Sequence, residues 1–272
     1  MASILSTATR GQDAQGERYL SFPDRRAMVD FFRRTSKISR MLMADPGTHE
    51  MLEAVYTEEE GEGEVDKFLL SSVSAQALRN RLSSVASWIK RFFSTSEKSK
   101  VLNLGSGTAR DVLDAVAVSP DWCQPSFVDC VDCNRKALRI AESLAISMAG
   151  IKSIFRFTHG NLTHLSYRNE MDLGLLIGIL CGLEHRVCVA LMRNVRKYFR
   201  SGAVVVASNV LQTMLEQDRT FAQILREIIG WNLVYKTPRE LRDIFEKAGY
   251  RWAGVFFDEP TRFHAMGIGI VP

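Results

Sequence analysis

The chain has 272 residues, 46% of them hydrophobic and 24% charged, which gives a sizeable core and excludes a globally disordered chain. A net charge of +4 and a pI near 8.8 are mildly basic, whereas a nucleic-acid binder shows a stronger, clustered excess, so no nucleic-acid partner is expected. The longest apolar run, LGLLIGILCGL at 173–183, is too short to cross a bilayer, and MASILSTATRGQD lacks the charged-then-apolar order of a signal peptide. The expectation is a cytoplasmic protein without a transmembrane segment.

Residues 1–20 are polar and aperiodic and read as a loose tail. A helix is predicted over 24–42, capped by Asp24, with Met28, Phe31, Phe32, Ile38 and Leu42 at helical spacing. Its opposite face carries Arg25, Arg26, Arg33, Arg34, Lys37 and Arg40, as either a membrane-surface helix or a solvated face over a packed one would. YTEEEGEGEVD, 56–66, reads as a solvated loop or hinge, and a long amphipathic helix follows from about 68 to 93. Residues 1–95 are therefore expected to form a helical cap region, and 96–272 a second domain.

From residue 100 strand-like runs alternate with helical windows. Strands are predicted at 100–104, 126–131, 153–158, 172–178, 203–208, 252–257 and 265–270, and helices at 109–118, 134–149, 184–200, 214–229 and 238–248. Strand-helix alternation with short connections implies an α/β fold with a doubly wound, mostly parallel sheet. Only DEPTRF separates the last two strands, too little for a crossover helix, so they pair antiparallel. The five cysteines are an odd number in a long chain and read as reduced thiols; Cys130 and Cys133 form a C-x-x-C, but no second pair follows at zinc spacing, so no metal is expected.

The first strand runs straight into a bare loop, VLNLGSGTARD at 101–111. Gly105 and Gly107 allow a sharp turn and close approach of a ligand, and the next helix aims its free amides at the same space. A dinucleotide loop wants a third glycine at the sixth position, where Arg110 stands, and no Gly-Lys-Ser/Thr of a phosphate loop is present. A small residue, Ala109, holds the fifth position instead, which is the pattern of an S-adenosylmethionine site. The second strand ends in Asp132, a carboxylate able to accept from a ribose diol or to cap the helix opening at Asn134. After the third strand comes HGNL, where Asn161 and Leu162 either meet an adenine ring or make a simple turn.

With VLNLGSGTARD as glycine motif, VDCVD as acidic motif, GNL as adenine motif and MDLGLLIGIL as fourth strand, residues 100–270 resemble a class I S-adenosylmethionine-dependent methyltransferase. The resemblance implies a Rossmann-like, seven-stranded sheet with the sixth and seventh strands reversed. It also implies S-adenosyl-L-methionine as cofactor, held by Gly105, Ser106, Gly107, Ala109, Asp132, Cys133, Asn161, Leu162 and Ile177. Asn103 stands where most members carry an acid, Ala109 replaces the third glycine, and Ser201-Gly202 lacks the usual Pro-Gly-Gly. GWNLVYKTPRELRDIFEKAGY and ALRNRLSSVASWI are similar to a bacterial branch with a helical amino-terminal region, some of whose members methylate the carboxyl group of hydroxy fatty acids.

Methyl transfer from a sulfonium needs mainly alignment and exclusion of water; a hydroxyl acceptor wants a general base, a carboxylate acceptor does not. A small-molecule acceptor is expected, since no Asp/Asn-Pro-Pro-Tyr follows the fourth strand; the sequence carries no signal for oligomeric state. Catalytic candidates on the acceptor side are Tyr235 and His185, and Glu184, Asn209 and Gln212 are further candidates to face the methyl group. The amino-terminal helices are expected over the cofactor mouth, and Arg79 or Arg81 as a partner for a carboxylate. Two competing readings stand beside the enzyme: a catalytically silent protein of this fold that binds a partner, and an NAD-linked oxidoreductase, which Arg110 disfavours.

Overall fold

The computed structural model describes residues 9–12, 18–21, 25–58, 61–96, 98–148 and 152–272. The chain forms two compact units, residues 1–79 with 213–233 and residues 80–212 with 234–272.

In the first unit an antiparallel pair, β1 (Thr9–Gln12) and β2 (Arg18–Ser21), precedes helices α1 (Arg25–Thr35), α2 (Lys37–Ala44), α3 (His49–Tyr56) and α4 (Glu64–Leu70). The helix expected over 24–42 is thus two helices, and its Asp24 cap lies outside the described residues. Ser36 causes the break: its backbone is extended at φ −135°, ψ 121°, and its hydroxyl oxygen caps α2 by accepting from Ser39 N–H. The same hydroxyl donates to Asp66, a fully buried carboxylate that also accepts the N–H groups of Lys37, Ile38 and Glu62. Four donors to one carboxylate replace the helical bonds lost at the break. The stretch 56–66, expected to be solvated, therefore ends in the most buried acid of this unit's amino-terminal part.

A second break parts α4 from α5 (Val73–Thr95), where one helix was expected from about 68; Ser72 accepts from Ala75 N–H there and starts α5 afresh. The window expected as one helix over 214–229 belongs to this unit as α9 (Thr213–Gln217) and α10 (Arg219–Gln223), followed by a π-helical stretch at Ile224–Ile229. Asp218, between them, accepts from Ser74 N–H at 3.2 Å and Ser74 Oγ at 2.8 Å.

The second unit holds β3 (Lys100–Leu104), α6 (Arg110–Ala117), β4 (Phe127–Asp132), α7 (Arg135–Ser147), β5 (Phe155–His159), β6 (Met171–Leu176), α8 (His185–Val195), β7 (Phe199–Val210), α11 (Pro238–Lys247), β8 (Arg251–Phe257) and β9 (His264–Ile270). The seven strands lie in the order β5-β4-β3-β6-β7-β9-β8. β3 pairs in parallel with both β4 and β6, β6 with β7; β9 runs antiparallel between β7 and β8. The expected sheet, with its last two strands reversed in order and closed by an antiparallel hairpin, is the one observed.

Each face of the sheet has its own core. α8 and α11 cover one through Met192, Leu241 and Phe245, and α6 and α7 cover the other through Val112, Leu113 and Ala141. That second core also contains Val85, Ile89 and Phe93 of α5. Burial of these side chains ties the later turns of α5 to the sheet domain. The compact units part at 79/80, within α5, whose later turns up to Phe93 belong to the core of the second unit.

Candidate cofactor and acceptor site

Strand order reverses at β3, whose two neighbours are reached by connections on opposite sides, and ligands of open α/β sheets bind at such a point. The loop that leaves β3 is left-handed three times, at Gly105 (φ 66°), Gly107 (φ 54°) and Ala109 (φ 55°). It is fastened to the tip of β4: Gly105 and Ser106 N–H donate to Val131 O at 2.8 and 3.1 Å, and Gly107 N–H donates to Asp132 Oδ2 at 2.8 Å. The other oxygen of Asp132 accepts Asn134 N–H at 2.7 Å. A carboxylate oxygen can accept more than one bond, and each here accepts one, so Asp132 orders the loop and keeps acceptor capacity for a diol.

The two glycines differ in what lies beside them. A Cβ at Gly105 would stand 2.2 Å from Ile179 Cδ1, whereas a Cβ at Gly107 would meet nothing within 4 Å. The space beside Gly107 is open, and next to it Ser106 Oγ is buried with no hydrogen-bond partner among the described residues.

Beneath the loop, Asn103 Nδ2 donates to Asp111 Oδ1 at 3.2 Å, and Val112 N–H donates to the same oxygen at 2.8 Å. Burial pushes the Asp111 carboxyl up to about 6, against the Val112 bond, the Arg81 charge and the Asn103 bond, which pull it down. An acid at 103 would face a second buried carboxylate; the amide avoids that repulsion, and Asp111 carries the negative charge instead. The departure at 103 is thus matched by a neighbour that sequence reading did not single out.

The remaining cofactor candidates sit at the tips of β4, β5 and β6. Cys133 is exposed and its carbonyl lies 3.0 Å from His159 Nε2. Cys130, its C-x-x-C partner in sequence, is buried inside β4. Asn161 Oδ1 accepts from Thr163 N–H at 2.9 Å and Thr163 Oγ at 2.8 Å, a turn closed by its own side chain. Leu162 and Ile177 are half-buried and pack on the two cores.

Across the switch point, Arg81 is 7% exposed, with Nη1 3.6 Å from where a Cβ on Gly178 would stand. Arg79, the other arginine singled out, lies in the first unit, where it donates to Val55 O, Leu70 O and Gln76 Oε1. Farther along the rim, Asn209 is buried and accepts from Lys236 Nζ at 3.1 Å. That ammonium also donates to the carbonyls of Leu180 (3.0 Å), Leu183 (2.8 Å) and Val234 (3.2 Å). Lys236 is 2% exposed, and burial lowers its pKa. Sequence reading missed it because three of its four partners, the oxygens of Leu180, Leu183 and Asn209, come from distant segments and leave no local signal.

Tyr235 beside it is half-buried, and Gln212 and Glu184 are exposed. His185 starts α8 and its Nε2 lies 2.8 Å from Asp243 Oδ2, an oxygen also 2.8 Å from Lys247 Nζ. The structure brings together Gly105, Ser106, Gly107 and Asp132, while His185 is tied into an ion-pair chain on α11.

No protein-family profile and no curated protein matches the chain. Solved structures do. A protein from Bordetella parapertussis, titled a possible exported protein, superposes with a TM-score of 0.75 at 18% identity, covering 96% of this chain and 90% of that one. Magnesium protoporphyrin IX methyltransferase from Synechocystis PCC 6803, solved with bound S-adenosylmethionine, gives 0.59 at 12% identity over 93% of this chain and 99% of that one. The same enzyme with S-adenosylhomocysteine gives 0.60 at 14% identity over 92% and 100%.

The fold is that of the class I S-adenosylmethionine-dependent methyltransferases. The methyltransferase fold accounts for the order of features along the sheet: the glycine loop, Asp132 and Asn161 follow β3, β4 and β5, three adjacent strands. Among the described residues no helix is long and apolar enough to cross a membrane.

Proposed function

We propose that the chain is an S-adenosylmethionine-dependent methyltransferase that O-methylates a small molecule, at a carboxylate or a hydroxyl, in the cytoplasm. The observation that carries this reading is the pairing of Gly107 with Asp132: an open, left-handed loop position hydrogen-bonded at 2.8 Å to the carboxylate of the neighbouring strand tip. The residues present fit the cofactor. Asp132 has acceptor capacity for the ribose diol, and Gly105, Ser106, Gly107 and Ala109 give a backbone approach to the amino-acid end. Cys133, Asn161, Leu162 and Ile177 border the adenine, with Asn161 offering its Nδ2 donors because Oδ1 serves its own turn. Arg81 is the cation of the same unit for a carboxylate.

When bound, S-adenosylmethionine supplies a methyl group on a positively charged sulfur. The chain's part is to align acceptor and methyl carbon and to keep water out. Lys236 fixes the turn at 180–183 to the segment 234–236, which presents Tyr235, the candidate for orienting an acceptor. His185 is the second candidate, with its imidazole shared with Asp243. Calorimetric titration tests the reading: S-adenosylmethionine and S-adenosylhomocysteine are expected to bind and NAD not to. Binding of NAD alone would make the protein an oxidoreductase, and binding of none would favour a catalytically silent relative.

A further inference from the structure

An acid-base pair outside the cofactor-binding set lies on the same rim of the sheet. β9 begins at His264 opposite Val210, the last residue of β7, so this antiparallel strand starts where the parallel strands end. His264 shares a sheet face with Met266, which belongs to the core containing α5 and α6. Asp258, at the end of β8, is fully buried and accepts from His264 N–H and, at 2.6 Å, from Thr261 Oγ, itself the acceptor for Asn80 Nδ2 of α5 at 3.1 Å. The second oxygen of Asp258 stands 3.4 Å from His264 Nδ1.

The backbone and Thr261 already satisfy the turn, and the imidazole adds only a long contact from Nδ1 to the Asp258 carboxylate, at 3.4 Å. Its Nδ1 is buried with no hydrogen-bond partner among the described residues, and the side chain is 8% exposed. A structural filler would avoid burying an imidazole nitrogen so, which costs about 1–3 kcal/mol. The charged groups acting on the ring are Asp258 and Arg81; burial, aided by Arg81, outweighs Asp258 and holds the ring neutral.

We propose that His264, oriented by Asp258, is the catalytic base that takes the proton of a hydroxyl acceptor, which makes the methylated atom a hydroxyl oxygen rather than a carboxylate oxygen. This rests on the methyltransferase reading above. The acceptor oxygen bonds to the methyl carbon as the carbon–sulfur bond breaks, sulfur keeps the electron pair, and the hydroxyl proton passes to His264 Nε2 and then to water. Asp258 balances the imidazolium so formed, as in acid-oriented histidine bases.

The experiment supplies methyl-labelled S-adenosylmethionine to the full chain in a small-molecule cell extract and follows label in acceptor, alongside calorimetry with S-adenosylhomocysteine. Label stable to alkali is expected, as in an ether. His264→Gln is expected to lower its incorporation by about 100-fold or more with S-adenosylhomocysteine affinity unchanged. Asp258→Asn is expected to move the acidic limb of the rate profile to lower pH, which a merely structural role would not do; this limb decides if His264→Gln fails to fold. Alkali-labile label, full incorporation by His264→Gln, an unmoved limb, or S-adenosylhomocysteine binding without any incorporation would overturn the proposal. A wild-type chain that binds no S-adenosylhomocysteine would instead defeat the function on which it rests.

Discussion

At Gly107 the chain holds a left-handed backbone beside empty space, and the two facts separate stability from binding. Gly107→Ala meets no neighbour within 4 Å, so its folding cost is the left-handed conformation alone, about 1–2 kcal/mol. Its methyl group enters the space assigned to the cofactor, and affinity for S-adenosylhomocysteine is expected to fall by about tenfold or more, some 1.4 kcal/mol. Chemical denaturation and calorimetry on one preparation check both; unchanged affinity would place the ligand elsewhere. Asp111 yields a pH signature. Its carboxyl is raised from 3.8 to about 6 in the folded chain, so between those values the unfolded chain gives up its proton first and stability falls as pH rises. The full cost, about 3 kcal/mol, is reached above the folded value and absent below the unfolded one. Asp111→Asn is expected to match wild type near the low end of this window and exceed it at neutral pH; parallel curves across the window would contradict the assignment.

Among the elements, strands were the most legible. Seven strand-like runs lie where β3 to β9 form, and in β3, β4 and β6 burial on both faces leaves a continuous apolar signal. Helix breaks were not legible. Ser36 and Ser72 sit in sequences of good helical period, and the break at Ser36 is held by hydrogen bonds to Asp66, thirty residues away. Asp132 was legible as a carboxylate at a strand tip beside a glycine loop; Lys236 was not, since three of the four oxygens around its ammonium, those of Leu180, Leu183 and Asn209, come from distant segments. Lys236→Met keeps the apolar stem and removes the donor, and is expected to destabilise the fold by roughly 3 kcal/mol through unsatisfied carbonyls. A variant as stable as wild type in urea would show that the ammonium is not what holds the acceptor-side turns.

For the whole molecule, the topology β5-β4-β3-β6-β7-β9-β8 fixes where a ligand can lie, since it brings three loop tips of different origin to one rim. The division into units was only partly legible: a composition change near residue 100 marks the start of the sheet, but the core it builds extends back into α5, and residues 213–233 join the first unit. Long-range membership of that kind has no local sequence mark. The proposed methyltransferase requires the open position at Gly107 and the carboxylate of Asp132 to hold an adenosyl sulfonium together. A crystal structure of the chain with S-adenosylhomocysteine tests it most directly. Ribose hydroxyls on Asp132, with the thioether passing Gly107, are the expected result; a ligand bound elsewhere, or Asp132 turned away from the sugar, would contradict it.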